Sequence, residues 1–577
     1  MIPPQYRESL SGMESAGARG WNSLPHMMLD LARGWRGRPM LRHWQGGWQR
    51  TSWGEFGQRV AALAAFLRAQ GVSPGDRVLL VSENRPEFPI ADTAIMAIGA
   101  VTVPTYTTNT VADHGHILAD SGASFAIVST GKLAERVLQG AAQRGVTLEK
   151  LVCMEPGTQG CLDWDAALAT PADLDLLAAE AEQIPPGRLA CLVYTSGTGG
   201  LPKGVMLPHR AMLANREGVA RIATRLHLDG TPYLSFLPLS HSYEHTVGGF
   251  LLPSPGLEVV YSRGADRLAA ELKEVQPTVI TAVPRLFEVL RGRIEAQVEK
   301  DGGFKAKLFA RALALGLKRL DGRLSLFERA QHAVLDRLVG AKIRDRFGGK
   351  LLALVSGGAR LDPDLSGFFL AFGLPVIQGY GQTEAGPVIS VNPPWENRRT
   401  TVGPPLPGVE ARIAEDGELC VRGDLVMDGY WNDAESTARA LIDGWLHTGD
   451  VGEITDGYIR ITDRKRDFIK TLGGDMVSPA KLEGLLMAEP EIAQAVVAGE
   501  GRPAIVALVV PAEGAAEKVQ AAIARVNGKL SNIERIRAST VVEPFTVENG
   551  LLTPTMKVKR RLVLQQHAAA VESLTKR

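Results

Sequence analysis

Hydrophobic and polar positions change period several times along this chain, and each change predicts an element. From Trp53 onward, Val60, Leu63, Phe66 and Leu67 recur at the spacing of one helix face, and Gly71 closes the run. The turn Pro74-Gly75-Asp76 leads into a short apolar run at 78–81, which predicts a buried strand. Further strands are expected at 100–103 and 124–128, with helices between them. Strands alternating with helices predict a parallel, layered α/β region. Residues 166–186 are acidic and alanine-rich and end in Pro185-Pro186-Gly187, so they read as a surface connection. They lead to another apolar strand at 189–193. Strands are also expected at 351–355 and 376–378.

Between 284 and 347 the period becomes helical again. Leu286, Phe287, Leu308, Phe309, Leu313 and Leu317 interleave with Arg285, Arg291, Arg293, Lys305, Lys307, Lys318 and Arg319. The favoured reading is an amphipathic helix pair packed on a core. The competing one is a basic amphipathic surface resting on a membrane. From 404 to 458, glycines and short alternating runs predict a small β-rich unit. Further on, Ser478 caps a helix with Pro479 at its first position. Strands follow at 495–497, 505–510 and 538–542, the pattern of a small α+β domain.

Composition narrows the possibilities. At 577 residues the chain exceeds one compact core, so two or more domains are expected. A formal net charge of +1 argues against a general nucleic-acid binder. Cys153, Cys161, Cys191 and Cys420 show neither disulfide pairing nor metal spacing, as expected of reduced thiols in a cytoplasmic protein. The first residues carry no apolar signal segment, and no stretch reaches the length of a membrane span without a charge or a proline.

The candidate chemistry lies in six stretches. Behind the strand at 189–193 comes Tyr194-Thr195-Ser196-Gly197-Thr198-Gly199-Gly200-Leu201-Pro202-Lys203-Gly204. Glycines let backbone N–H groups turn toward an anion, hydroxyls add donors, and Lys203 adds a charge, so this is a phosphate-holding loop. It is neither a Walker A loop nor a dinucleotide fingerprint, because the glycine and lysine spacings fail. Leu237-Pro238-Leu239-Ser240-His241-Ser242-Tyr243-Glu244-His245 suits a loop lining a pocket. Ser356-Gly357-Gly358-Ala359 follows a strand with residues small enough for a flat ring to lie on the backbone. Gly379-Tyr380-Gly381-Gln382-Thr383-Glu384 follows another strand and offers a carboxylate to a hard cation. Trp445-Leu446-His447-Thr448-Gly449-Asp450 presents a carboxylate on a turn, and Thr462-Asp463-Arg464-Lys465-Arg466-Asp467 is a charge cluster. The tail contains Leu552-Thr553-Pro554-Thr555-Met556-Lys557-Val558-Lys559-Arg560.

In this order the motifs resemble those of the adenylate-forming enzymes, which include acyl-CoA synthetases, peptide-synthetase adenylation domains and luciferases. The resemblance runs from about Trp53 to Arg561. In the signature loop, Gly199 replaces a usual threonine. The family likeness implies a large N-terminal multi-layer α/β domain with a β-rich subdomain over residues 1–462. It also implies a small, mobile α+β domain over 463–577 that turns about a hinge at 463–466. It implies that Thr195, Ser196, Gly197, Thr198, Gly199 and Lys203 hold phosphates. Gly357, Gly358, Ala359, Gly379, Tyr380 and Gly381 would bind adenine, with Tyr380 stacking on it, and Thr383 would reach a phosphate oxygen. Asp450 would hold the ribose hydroxyls and Arg464 ribose or phosphate. Glu384 and Thr195 would hold Mg²⁺, Gly473 and Gly474 would come forward when CoA enters, and His241 would stand between nucleotide and acyl sites. The catalytic set is then Lys557, Thr195, Glu384 and His241.

The 284–347 insertion, the 237–245 loop and a Val103-Pro104-Thr105-Tyr106-Thr107-Thr108 turn resemble the long-chain fatty acid–CoA ligases. Substrates would be ATP, a long-chain fatty acid and CoA. An aryl- or medium-chain acid–CoA ligase and an adenylating module that loads a carrier protein are the alternatives. Met476 stands where long-chain relatives often have a tryptophan nearby. The expected location is cytoplasmic, with peripheral contact at the inner membrane face and a homodimer left open.

Overall fold

The computed structural model describes residues 20–195, 201–465, 469–472, 476–547, 549–553 and 557–575. Two eight-stranded sheets, sandwiched by helices, carry the N-terminal region. One has the strand order 429–430, 203–208, 189–195, 101–105, 77–81, 125–128, 150–153, 162–163. The other runs 388–391, 376–381, 353–356, 279–282, 232–235, 258–261, 39–44, 48–52. The inner pairings of both are parallel, as alternating strands and helices require. A five-stranded sheet over 410–464 forms the β-rich subdomain, and a three-stranded sheet over 492–541 centres the small C-terminal domain.

Local chemistry explains many of the boundaries. The helix Trp53–Ala69 starts on a capping box in which Ser52 and Glu55 satisfy each other's end of the chain. Ser478 accepts from Lys481 N ahead of Pro479, as the sequence predicts. The strands at 77–81, 101–105 and 125–128 are fully or nearly buried, which accounts for their continuous apolar runs.

Residues 166–186 correct the sequence reading. They are not a surface connection: helices Trp164–Leu168 and Leu174–Glu182 occupy much of them. Leu174, Leu177, Ala178 and Ala181 are buried at helical spacing in the core shared with Leu24–Gly34 and Trp53–Ala69. The acidic residues between them face outward. The hairpin Pro39–Trp44/Trp48–Ser52 and the helix Leu24–Gly34 had no sequence expectation.

The 284–347 region is helical, as expected. Phe287, Ile294, Ala312 and Leu315 join a core with Phe368, Phe369 and Phe372. Among the described residues, no helix is long and apolar enough to cross a membrane.

Candidate active site

Strand ends from both sheets and from the C-terminal domain meet around one cavity of about 2290 Å³. Thr195, Lys203, His241, Gly357, Gly358, Gly379, Tyr380, Gly381, Thr383, Glu384, Arg464 and Lys557 all line it. These positions span more than 350 residues of sequence, so the fold gathers what the motifs only suggest. Ala359 is exposed and outside the lining. Ser196, Gly197, Thr198, Gly199, Gly473 and Gly474 lie outside the described residues.

The loop that begins at Thr195 joins two antiparallel strands, with Thr195 opposite Lys203. Lys203 Nζ lies 2.9 Å from Asp433 Oδ2, also reaches Ser436 Oγ, and stands 5.4 Å from the centre of the Tyr430 ring. At the cavity wall its ammonium is therefore paired with a carboxylate. Tyr430 also donates to Glu384 Oε1 at 2.8 Å. Asp433 and Tyr430 had no sequence signal, because neither stands in a recognisable motif.

A further wall of the cavity is built by strand termini. Gly358 sits at φ +77, a conformation that favours glycine, and a Cβ placed there would lie 4.0 Å from Lys557 Nζ. A Cβ on Gly357 would meet the Tyr243 ring at 3.1 Å. Tyr380 donates its phenol to Asp450 Oδ2 at 2.5 Å, and Arg464 Nε lies 3.2 Å from Asp450 Oδ1. Asp450 is thus buried behind Tyr380 and oriented from two sides. Ser242 Oγ and Thr383 Oγ1 are 2.7 Å apart, which ties the His241 loop to the Glu384 loop.

Electrostatics distinguish the two candidate proton-bearing groups. Lys557 faces the open cleft and so keeps accessible surface, yet protein surrounds it. Desolvation, with the charge of Arg464, lowers its pKa to about 8 against the pull of Asp450. His241 is pushed down to about 3 by burial and by the Lys557 ammonium. It is therefore neutral across the physiological range. Its Nδ1 accepts from Tyr243 N at 3.1 Å, which assigns the ring proton to Nε2. His241 can donate a hydrogen bond but is not set up as a general base. Its ring lies 6.4 Å from that of Tyr106, so the 103–108 turn does reach the site.

Behind His241 the loop is structural. Glu244 is buried and accepts from Ser235 Oγ at 2.6 Å, from Thr281 Oγ1 at 2.8 Å and from the Tyr233 hydroxyl. Burial raises its carboxyl to about 7 against those hydroxyl contacts. His245 Nε2 lies 2.9 Å from the equally buried Asp92. Beyond this floor the cavity continues as an apolar arm. Val219, Ile222, Ala223 and Leu226 come from the helix His209–Arg225 and its end, and Val247 and Leu251 from the π-helical turn Val247–Leu251.

A hard divalent cation fits this donor set. The Glu384 carboxylate stands on the cavity wall with no cationic partner among the described residues, and Thr195 lines the same space.

Comparison with known proteins agrees with this architecture. Residues 30–431 match the AMP-binding enzyme family, and residues 466–577 match the AMP-binding enzyme C-terminal domain. The long-chain-fatty-acid–CoA ligase FadD15 of Mycobacterium tuberculosis is 35% identical over 92% of this chain and 93% of its own. The peroxisomal long chain acyl-CoA synthetase 6 of Arabidopsis thaliana is 30% identical over 92% of this chain and 82% of its own. Among solved structures, the A-PCP didomain of carboxylic acid reductase from Segniliparus rugosus superposes with a TM-score of 0.75. That match is 20% identical, covers 98% of this chain and 83% of that one, and bears on the fold alone. With both halves matched and two such relatives spanning most of its length, this chain belongs to the AMP-binding enzyme family.

Proposed function

We propose that this protein joins a long-chain fatty acid to CoA in two steps, through an acyl adenylate. The observation that carries the reading is the lining of the cavity. A polar wall of Tyr380, Arg464 and Lys557, with Asp450 held behind Tyr380, adjoins an apolar arm along the helix His209–Arg225. A nucleotide and an alkyl chain can occupy it together, with their reacting ends meeting near His241.

In the first step a carboxylate oxygen attacks the α-phosphorus of ATP, the bond to the β-phosphate oxygen breaks, and pyrophosphate leaves. Negative charge grows on the leaving group and on the α-phosphate oxygens. Lys557, beside Gly358, neutralises that charge, and Lys203 exchanges Asp433 for a phosphate. His241 donates from Nε2 to the acyl carboxylate and orients it. Asp450, held by Tyr380 and Arg464, chelates the ribose, and Thr383 contacts a phosphate. Glu384 and Thr195 would hold Mg²⁺, which when bound supplies charge neutralisation across the phosphates. Nucleotide and acyl chain filling the cleft together would limit the access of water to the mixed anhydride.

In the second step the small domain turns about 463–466, withdraws Lys557 and brings 473–474 forward. The CoA thiol gives up its proton to solvent, its sulfur attacks the acyl carbonyl, the bond from that carbon to the phosphate oxygen breaks, and AMP leaves. The strand Tyr458–Arg464 stays paired with the subdomain as far as Asp450↔Arg464, so we place the torsion change at or beyond Lys465.

The test is a mass-spectrometric product assay with ATP and Mg²⁺, using palmitate, octanoate, benzoate and acetate, each with and without CoA. Palmitoyl-CoA as the main product is the expected outcome. Preference for benzoate or octanoate would move the reading to an aryl- or medium-chain ligase. Acyl-AMP that never becomes thioester would replace CoA with a carrier-protein acceptor.

A further inference from the structure

The helix Leu326–Leu335 and the π-turn Asp336–Gly340 that continues it present two opposite faces. Glu328, Gln331, His332, Leu335 and Val339 turn inward and are buried or half-buried. Contacts from Arg311 to Gln331 at 2.7 Å and from Lys318 to Glu328 at 2.6 Å seat that face on the neighbouring helix Gly303–Leu320. The opposite face is apolar and open: Leu326 is 83% exposed, Phe327 78%, Val334 58% and Leu338 50%. Ala330 and Ala333 fill the spacing between them and are exposed too. The antiparallel pairing brings Phe304, 74% exposed, level with Leu338 at the far end. The outer face of 326–338 is thus an apolar stripe rather than scattered surface residues, with Phe304 exposed at the start of the neighbouring helix.

Charge decides what the stripe fits. Arg323, Arg329, Arg337 and Lys342 are exposed along it and pair with no acid among the described residues. Three of the acids between 321 and 345, Asp321, Glu328 and Asp336, are already committed to Arg399, Lys318 and Arg344, which leaves Asp345. A second copy of this chain, docked face to face, would bring like charges together across an apolar seam. An anionic bilayer accepts both parts at once: side chains such as Phe327 enter the acyl boundary while the arginines meet lipid phosphates.

We propose that the outer face of 326–338, with Phe304, is a docking surface for an anionic lipid bilayer. The surface lies apart from the catalytic cavity, so binding to vesicles can be read without any turnover.

The test is co-sedimentation of the full-length protein with vesicles of phosphatidylcholine alone or with about 30 mol% phosphatidylglycerol, at low and high salt. The wild type should sediment with the anionic vesicles and be released by salt. The double variant Leu326→Ser/Phe327→Ser should lose at least about fivefold in partitioning. Arg329→Gln/Arg337→Gln should bind anionic vesicles more weakly and with a flatter salt dependence. Activity on detergent-dispersed palmitate should stay near the wild-type level in both, which reports that they fold. Wild type left in the supernatant, or a double variant that binds as well as the wild type, would overturn the proposal. A wild-type dimer in lipid-free buffer that Leu326→Ser/Phe327→Ser splits would assign the stripe to a second copy instead.

Discussion

Lys557 shows how much of a side chain's chemistry comes from where it is enclosed. In sequence it stands among Lys559, Arg560 and Arg561 and reads as surface charge. In the structure it reaches Gly358 and has its pKa lowered to about 8. Bound phosphates favour the protonated form, so ATP should bind with uptake of up to about three-quarters of a proton at pH 8.5. ATP affinity should therefore fall as pH rises through 8. Titration calorimetry in two buffers of different ionisation heat measures the uptake, and Lys557→Ala should abolish it. The same variant should lose adenylation by at least about a hundredfold yet still make thioester from supplied acyl-AMP; equal loss of both half-reactions would remove the two-state use of the domain. Tyr380→Phe keeps the ring but deletes the 2.5 Å hydrogen bond to Asp450. About 1–2 kcal/mol of orientation should go with it, seen as a roughly tenfold rise in KM for ATP. Lys557 was nameable through its motif, whereas Asp433 and Tyr430 were not. They reach Lys203 and Glu384 only because the strand Lys203–Pro208 pairs with Gly429–Tyr430.

The loop and short helix at 237–246 form an element whose stability is tied to pH. Glu244 anchors it to the strands Pro232–Ser235 and Val279–Ala282 through three hydroxyls. Its folded carboxyl keeps a proton up to about pH 7, against 4.5 for the free group. The stabilisation is therefore complete below 4.5 and is lost as pH rises through 7, by up to about 3 kcal/mol. Melting curves should show the Tm of Glu244→Gln gaining on the wild type between pH 5 and 7.5; a constant difference would mean that Glu244 does not titrate there. The strand Val376–Gly381 carries a second constraint. A Cβ on Gly381 would fall 1.8 Å from the Pro387 carbonyl oxygen, so Gly381→Ala should sharply reduce the yield of soluble protein. Periodicity was sufficient for most such elements. It failed at 166–186, where alanine and acid content hid the helical spacing of Leu174, Leu177 and Ala181.

Across the molecule, two large sheets and a small domain contribute residues to one cavity. The apolar arm should set chain length. Ala223 lines it and is buried, so Ala223→Phe should cut palmitate turnover at least about tenfold while octanoate turnover survives. Equal loss on both acids would place the alkyl chain elsewhere. Near the proposed hinge, Lys465 Nζ lies 2.9 Å from Glu418 Oε2 and also pairs with Asp416. This cluster fastens the end of the 458–464 strand to the subdomain. Tyr380, Thr383, Glu384 and Lys557 all line the cavity; their choice as candidate residues, the family and the order of its motifs were legible in the amino-acid order alone. Backbone-shaping glycines and charged groups at set spacing leave a local trace there. The apolar arm, the neutral Nε2-protonated form of His241, the Lys203–Asp433 pair and the open face of 326–338 had no such trace. Each arises from side chains far apart in the chain or from which face of a helix is left uncovered. Burial and long-range pairing are properties of the assembled fold, not of any local pattern.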